Sequence, residues 1–143
     1  MAQIGSIPVI TDNFVHLQHT DWGLACRRKM VDMLNLFVGQ AGGFFSVEVE
    51  FPSDIGESEV EIPVHALERE CKQLFKGNTL ASTDVFTLDD DNGEAQSIRL
   101  KFQDSDCFAD KADEFVESVI KFALKPANMI GANQSMPTIA IWQ

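Results

Sequence analysis

The segment DVFTLDDDNGEAQSIRLKF, residues 84–102, decides the fold. It contains two runs in which apolar and polar residues alternate, and Asn92-Gly93 lies between them. Side chains that alternate in this way point to opposite faces of a β-strand, and Asn-Gly favours the tight turn of a two-stranded hairpin. The segment therefore predicts an antiparallel hairpin in which Ile98, Leu100 and Phe102 share one face.

The same alternation appears upstream, in the run FSVEVEF at residues 45–51 and again in residues 59–64. Residues 52–58 between them are typical of a turn, so we expect a second hairpin. Its outer face would carry four carboxylates: Glu48, Glu50, Glu59 and Glu61. The run 137–142 predicts a short terminal strand, and residues 1–18 predict a strand or an extended N-terminal arm.

Apolar residues spaced three and four apart predict three helices. The first begins at Thr20 or Asp21 and ends near Val38, the second follows Pro63, and the third covers about residues 108–124. No repeat or linker interrupts residues 1–143, which we interpret as one domain. The prediction is an α+β fold with an antiparallel sheet of about five strands and about three helices packed on one side.

The chain of 143 residues carries a formal net charge of −11, and this charge is unevenly distributed. Residues 1–40 contain three acidic and three basic residues, and residues 118–143 contain only two lysines. Residues 41–117 therefore carry the whole surplus of acid. Such a field repels nucleic acid and anionic membranes and attracts basic proteins, although an acidic surface also serves solubility alone.

The sequence predicts a protein of the cytoplasm. It lacks the ~18 consecutive apolar residues of a membrane helix, and no secretory signal is visible at its N-terminus. The three cysteines, Cys26, Cys71 and Cys107, are too scattered for a disulfide framework and lie beside apolar residues. We expect them to be free structural thiols in a reducing compartment.

Three motifs that could carry chemistry have a simpler interpretation. Aligning Gly93 with the glycine of a calcium-binding loop places Leu88 and Arg99 where oxygen ligands are required. His16 and His19 lack a third ligand at a useful spacing. Cys26 follows an apolar helical pattern, although Arg27 beside it could activate a thiol. We therefore expect no metal, no cofactor and no catalytic residue.

The remaining feature of the sequence is the set of acidic residues on the predicted strands and helices. The third predicted helix also carries acid on its outer side, so the candidate partner-binding residues are Glu48, Glu50, Glu59, Glu61, Asp110, Asp113, Glu114 and Glu117. We expect a small acidic non-enzymatic binding protein, a monomer or homodimer, that neutralises a basic protein partner. Immunity proteins that block nuclease toxins are similar in charge and size, but no motif carries that similarity.

Two alternatives stay open at this point. One is a structural subunit that self-assembles when the strand 137–142 or the N-terminal arm joins a neighbour's sheet. The other is an enzyme of an unrecognised class. The sequence alone does not identify the function.

Overall fold

Five strands form one antiparallel sheet in the computed structural model, which describes residues 2–9, 21–51, 63–77, 80–90, 93–123 and 137–143. The strands are β1 (Gln3–Pro8), β2 (Phe45–Phe51), β3 (Leu80–Asp90), β4 (Gly93–Phe102) and β5 (Thr138–Trp142). Their order across the sheet is β1-β5-β2-β4-β3. The helices are α1 (Asp21–Gly39), α2 (Pro63–Leu74), α3 (Ser105–Ala109) and α4 (Ala112–Ala123). The predicted α+β class is confirmed.

The hairpin predicted from residues 84–102 is present. Strands β3 and β4 pair from Leu80 opposite Phe102 to Asp90 opposite Gly93, so the ladder includes Gly93, the second residue of the predicted turn. The N-terminal strand is present as β1, which pairs with β5. The two ends of the chain are therefore joined in one sheet.

The second predicted hairpin is wrong. Strand β2 pairs with β4 on one side and with β5 on the other, so neither of its edges remains for residues 59–64. Val64, which we assigned to a strand, lies in α2 instead. Strand β5 is also paired on both sides, with β1 and β2. Its backbone hydrogen-bonding groups are therefore used within the chain and are not available to a neighbour's sheet.

The helices cover one face of the sheet through an aromatic cluster. Phe45 and Phe102 stack on neighbouring strands with ring centroids 5.4 Å apart. Phe75 from the end of α2 and Phe108 from α3 contact the Phe102 ring at 4.9 Å and 5.3 Å. Aromatic pairs in such stacked and edge-on geometries add to the hydrophobic gain of burial. This cluster fixes α2 and α3 over the β2–β4 half of the sheet.

Helix α1 packs over the other half of the sheet, at β1. A Cβ atom placed on Gly5 would lie 2.6 Å from Cε1 of Phe37, so the absence of a side chain at this position lets the Phe37 ring lie against the strand. Gly5 is opposite Ile141 in the β1–β5 ladder, and Ile141 is fully buried. The face bearing Gly5 and Ile141 is therefore the helix-covered face.

The third predicted helix is divided into α3 and α4. The side chain of Asp104 caps α3 by accepting a hydrogen bond from the N–H of Asp106 at 2.9 Å. At the break the N–H of Lys111 donates to the carbonyl of Phe108, three residues back, where an α-helix would use the fourth. Both segments still direct a phenylalanine into the core, and the rings of Phe108 and Phe115 lie 5.5 Å apart.

Candidate functional site

The predicted acidic residues lie on opposite sides of the sheet. Glu48 and Glu50 alternate with the buried Val47 and Val49, so they lie on the sheet face turned away from the helices, which we call the open face. The acids of the third predicted helix lie on the helical side instead: Asp110, Asp113, Glu114 and Glu117. Glu59 and Glu61 lie outside the described residues. The acids therefore do not form one continuous binding face.

Glu48 is not the exposed carboxylate that the alternation predicted. It is only 8% exposed, and its Oε2 accepts a hydrogen bond from Nη2 of Arg99 at 2.8 Å. The two residues are direct neighbours on β2 and β4. Because β2 is a central strand, side chains from both neighbouring strands enclose this position. The charge of Glu48 is therefore balanced by Arg99 within the protein.

Arg99 is the centre of a cluster on the open face. Its guanidinium carbon lies 5.5 Å from the centre of the Phe86 ring and 5.9 Å from the centre of the Trp142 ring. A cation over aromatic faces is attracted to their π-electrons. Ser97 below this cluster is fully buried, and its hydroxyl has no hydrogen-bond partner in the described part of the chain. The cluster Phe86–Arg99–Trp142 with Glu48 therefore covers the sheet.

The acids of α4 are exposed, and one basic residue holds two of them. Nε and Nη2 of Arg27 on α1 donate to the two carboxylate oxygens of Asp113, both at 3.0 Å. Nη1 of Arg27 also lies 3.7 Å from Oε2 of Glu117. A planar guanidinium suits this two-pronged contact. Arg27, the first residue of the basic run 27–29, therefore joins α1 to α4.

A groove between α2 and α4 brings together carboxylates from both helices. This α2–α4 groove has a volume of about 260 Å³ and is lined by Glu70, Leu74, Glu114, Glu117, Ser118 and Lys121. On one wall Ser118 donates to Oε1 of Glu70 at 2.9 Å, and Nζ of Lys121 donates to Oε2 of the same residue at 3.3 Å. Glu114 and Glu117 on the other wall have longer cation contacts, each 3.7 Å, with Lys111 and Arg27.

The α2–α4 groove matches the chemistry of a lysine or arginine side chain. Such side chains lay their methylene stem along apolar surface and keep the charged end among polar groups. Leu74 provides the apolar surface, and Glu114 and Glu117 provide the acceptors. Lys111 lies 3.7 Å from Glu114, but exposed pairs of this kind contribute only ~0–1 kcal/mol. A partner's cation can displace it at little cost.

The structure provides no activated thiol in Cys71. Burial, followed by the negative charges of Glu70 and Glu68, raises the pKa of the Cys71 thiol to about 12. The thiol is therefore protonated at neutral pH and is a poor nucleophile. Cys26 and Cys107 are free and half-buried.

Within the described ranges, no three His, Cys, Asp or Glu side chains come together as a metal site would require. No helix in those ranges is long and apolar enough to cross a bilayer. Comparison with protein families, with characterised proteins and with solved structures finds no match for this chain.

Of the three acids that line the groove, the sequence predicted Glu114 and Glu117 as binding residues but not Glu70. Glu70 and Leu74 lie one turn apart on α2, which places them on one side of that helix. Their partners Ser118 and Lys121 belong to α4, far along the chain. The sequence pattern predicts which residues share one side of each helix. It does not predict how the two helices pack against each other.

Proposed function

We propose that this chain is a small acidic non-enzymatic binding protein of the cytoplasm that neutralises a basic protein partner, as an inhibitor or immunity-type protein does with a nuclease toxin. The observation that carries the proposal is the α2–α4 groove, where Lys121 binds Glu70 at 3.3 Å. Glu114 and Glu117 in the same groove have only the longer 3.7 Å contacts with Lys111 and Arg27 among the described residues. A cation from the partner would complete this set of charges.

The electrostatics of the rest of the chain support the same partner class. With a net charge of −11, the protein accelerates its encounter with a basic surface and slows its encounter with an acidic one. The acids of α4 lie on a helix whose inner side, including Phe115 and Val119, is fully buried. Helix α4 therefore presents its carboxylates from a rigid support, which lowers the entropy lost on binding.

The test compares two double variants with the same change in charge. Glu114→Gln with Glu117→Gln neutralises the groove, and Glu50→Gln with Asp84→Asn neutralises two acids of the open face. The wild-type protein serves as bait in extracts of its native host, and the purified basic partner is then titrated calorimetrically against wild type and both variants. We expect the groove variant to weaken binding about 100-fold, as the loss of two charge-paired contacts implies, and the open-face variant to change it about twofold.

Salt gives a second measurement of the same site. The association rate should fall as ionic strength rises, because exposed charges are screened over ~10 Å at 0.1 M salt. Equal losses in the two double variants would mean that only total charge matters, and the groove would not be the site. If no basic protein is retained by the bait at low salt, the proposal is rejected.

A further inference from the structure

The sheet has two strands at its edges, and they differ in charge. Strand β3 carries Asp84, Asp89 and Asp90, whereas β1 (Gln3–Pro8, QIGSIP) contains no ionisable side chain. Charged residues on an edge strand discourage pairing with another chain, and β1 lacks that protection. Of the two edges, β1 is the one suited to accept a further strand.

Strand β1 directs backbone groups away from the sheet, and no other described strand pairs with them. The N–H of Val9 donates to the carbonyl of Pro137 at 2.8 Å, which fixes the residues of β1 that bond to β5. Because these groups alternate along an antiparallel strand, the N–H and C=O of Ser6 point away from β5. Pro8 shares this outward position, so its missing N–H costs β1 no bond to β5 but removes one possible bond to an added strand, which leaves Ser6 as the donor at the centre of this edge.

Helix α1 presents apolar side chains on the side that overhangs β1. Met33 is 37% exposed and Leu36 is 61% exposed, and the neighbouring Phe37 and Cys26 are half-buried. The helical spacing places six residues on this side of α1, and only Lys29 among them is charged: Cys26, Lys29, Met33, Leu36, Phe37 and Gln40. We call this surface, together with the outer edge of β1, the β1–α1 edge.

We propose that the β1–α1 edge binds a second copy of this chain. In this dimer β1 pairs antiparallel with β1 of the second copy, and the five-stranded sheets join into one. A two-fold axis beside Ser6 lets the Ser6 N–H of each copy reach the Ser6 carbonyl of the other. A strand edge of this kind is complementary to itself, as a two-fold interface requires.

Charge favours a second copy as the occupant. Two copies of a chain with net charge −11 repel each other over most of their surface. Residues 1–40, which contain β1 and α1, hold three acidic and three basic residues and are neutral overall. Contact through this part of the chain avoids the repulsion that contact through residues 41–117 would incur.

The required area explains why both elements take part. A stable interface buries ~800 Å² on each partner, which six residues of strand do not supply. Phe37 of α1 lies against Gly5 of β1, and Met33 and Leu36 continue the same side of the helix and add exposed apolar area. Met33 lies one helical turn before Phe37 on this side, so its substitution should weaken the dimer, independently of the proposed α2–α4 groove.

The experiment is light scattering after size-exclusion chromatography, over protein concentrations from about 1 to 100 μM. The wild type should have the mass of a dimer. Met33→Glu buries a charge in the interface twice, once per copy, and should weaken the dimer about 100-fold. Leu24→Glu is the matched control, because Leu24 is 48% exposed on the side of α1 that faces α4, and it should leave the dimer intact. Ser6→Pro removes the outward N–H and should also give monomers.

The outcomes distinguish the proposal from its competitors. Circular dichroism and the melting temperature establish that each variant is folded before its mass is interpreted. A wild-type protein that is monomeric at 100 μM refutes the proposal, as does an open-ended assembly, because a two-fold interface closes. A dimer that persists in Met33→Glu and dissociates in Leu24→Glu places the interface elsewhere and also refutes it.

Discussion

Reversing the charge of Glu48 should destabilise the fold and not merely alter its surface. The residue is 8% exposed and its carboxylate lies 2.8 Å from the guanidinium of Arg99. Breaking a buried pair by removing one partner costs ~3–5 kcal/mol, because the other charge is left buried. The Arg99 side chain retains 26% exposure, so water can solvate part of it and the lower end of that range applies. Glu48→Lys should therefore lose about 3 kcal/mol, or about 10 °C in Tm.

The assay is urea denaturation followed by circular dichroism, with Glu50→Lys as the matched control. Glu50 lies on the same strand and the same face, it is half-buried, and the described residues form no ion pair with it. Its reversal should change the unfolding free energy by less than about 1 kcal/mol. Replacing both Glu48 and Arg99 with methionine should restore most of the loss, since neither charge then remains unpaired. A Glu48→Lys variant as stable as wild type would refute the account of this pair.

Two further predictions concern Gly5 and Cys71. Gly5→Ala should cost about 1–3 kcal/mol in urea denaturation, because the added Cβ would lie 2.6 Å from the Phe37 ring, and Gly39→Ala, with open space around its Cβ position, is the control. The pKa of Cys71 is raised from 9.0 in the unfolded chain to about 12 in the fold, so its contribution to stability is complete below pH 9 and is lost as the pH rises towards 12. The difference in unfolding free energy between wild type and Cys71→Ala should shrink over that interval, and a constant difference would contradict the raised pKa.

Local patterns in the sequence were sufficient to predict the secondary-structure elements that depend on residues close by in the chain. The β3–β4 hairpin follows from two alternating runs joined by a tight turn, and its ladder reaches the turn at Gly93 as expected. Helix α1 follows from apolar spacing after Asp21 and ends at Gly39. Alternation also assigned Phe45, Val47, Val49 and Phe51 to one face, and all four are buried.

Pairing between distant strands could not be predicted from those patterns. Residues 45–51 alternate as an exposed hairpin strand does, yet β2 lies between β4 and β5 at the centre of the sheet. Alternation states which residues share a face, but it does not state which strand lies beside them. The prediction that Glu48 is exposed failed for this reason: the neighbour across the ladder is Arg99, and that choice depends on the whole topology.

The positions of the basic residues determine which Asp and Glu side chains are available to a partner. Arg99 neutralises Glu48 on the open face, and Arg27 binds Asp113 and Glu117 where α1 meets α4. Each of these cations lies between two secondary-structure elements and joins them. Each therefore reduces the negative electrostatic potential of the surface at that point. In the α2–α4 groove, the cation contacts of Glu114 and Glu117 are longer, 3.7 Å each, so these two carboxylates are the more available ones. The groove lies on the side of α1 that faces α4, and Met33 lies on the side above β1, so a basic partner and a second copy would occupy separate surfaces. Binding of the one would then leave the other surface free.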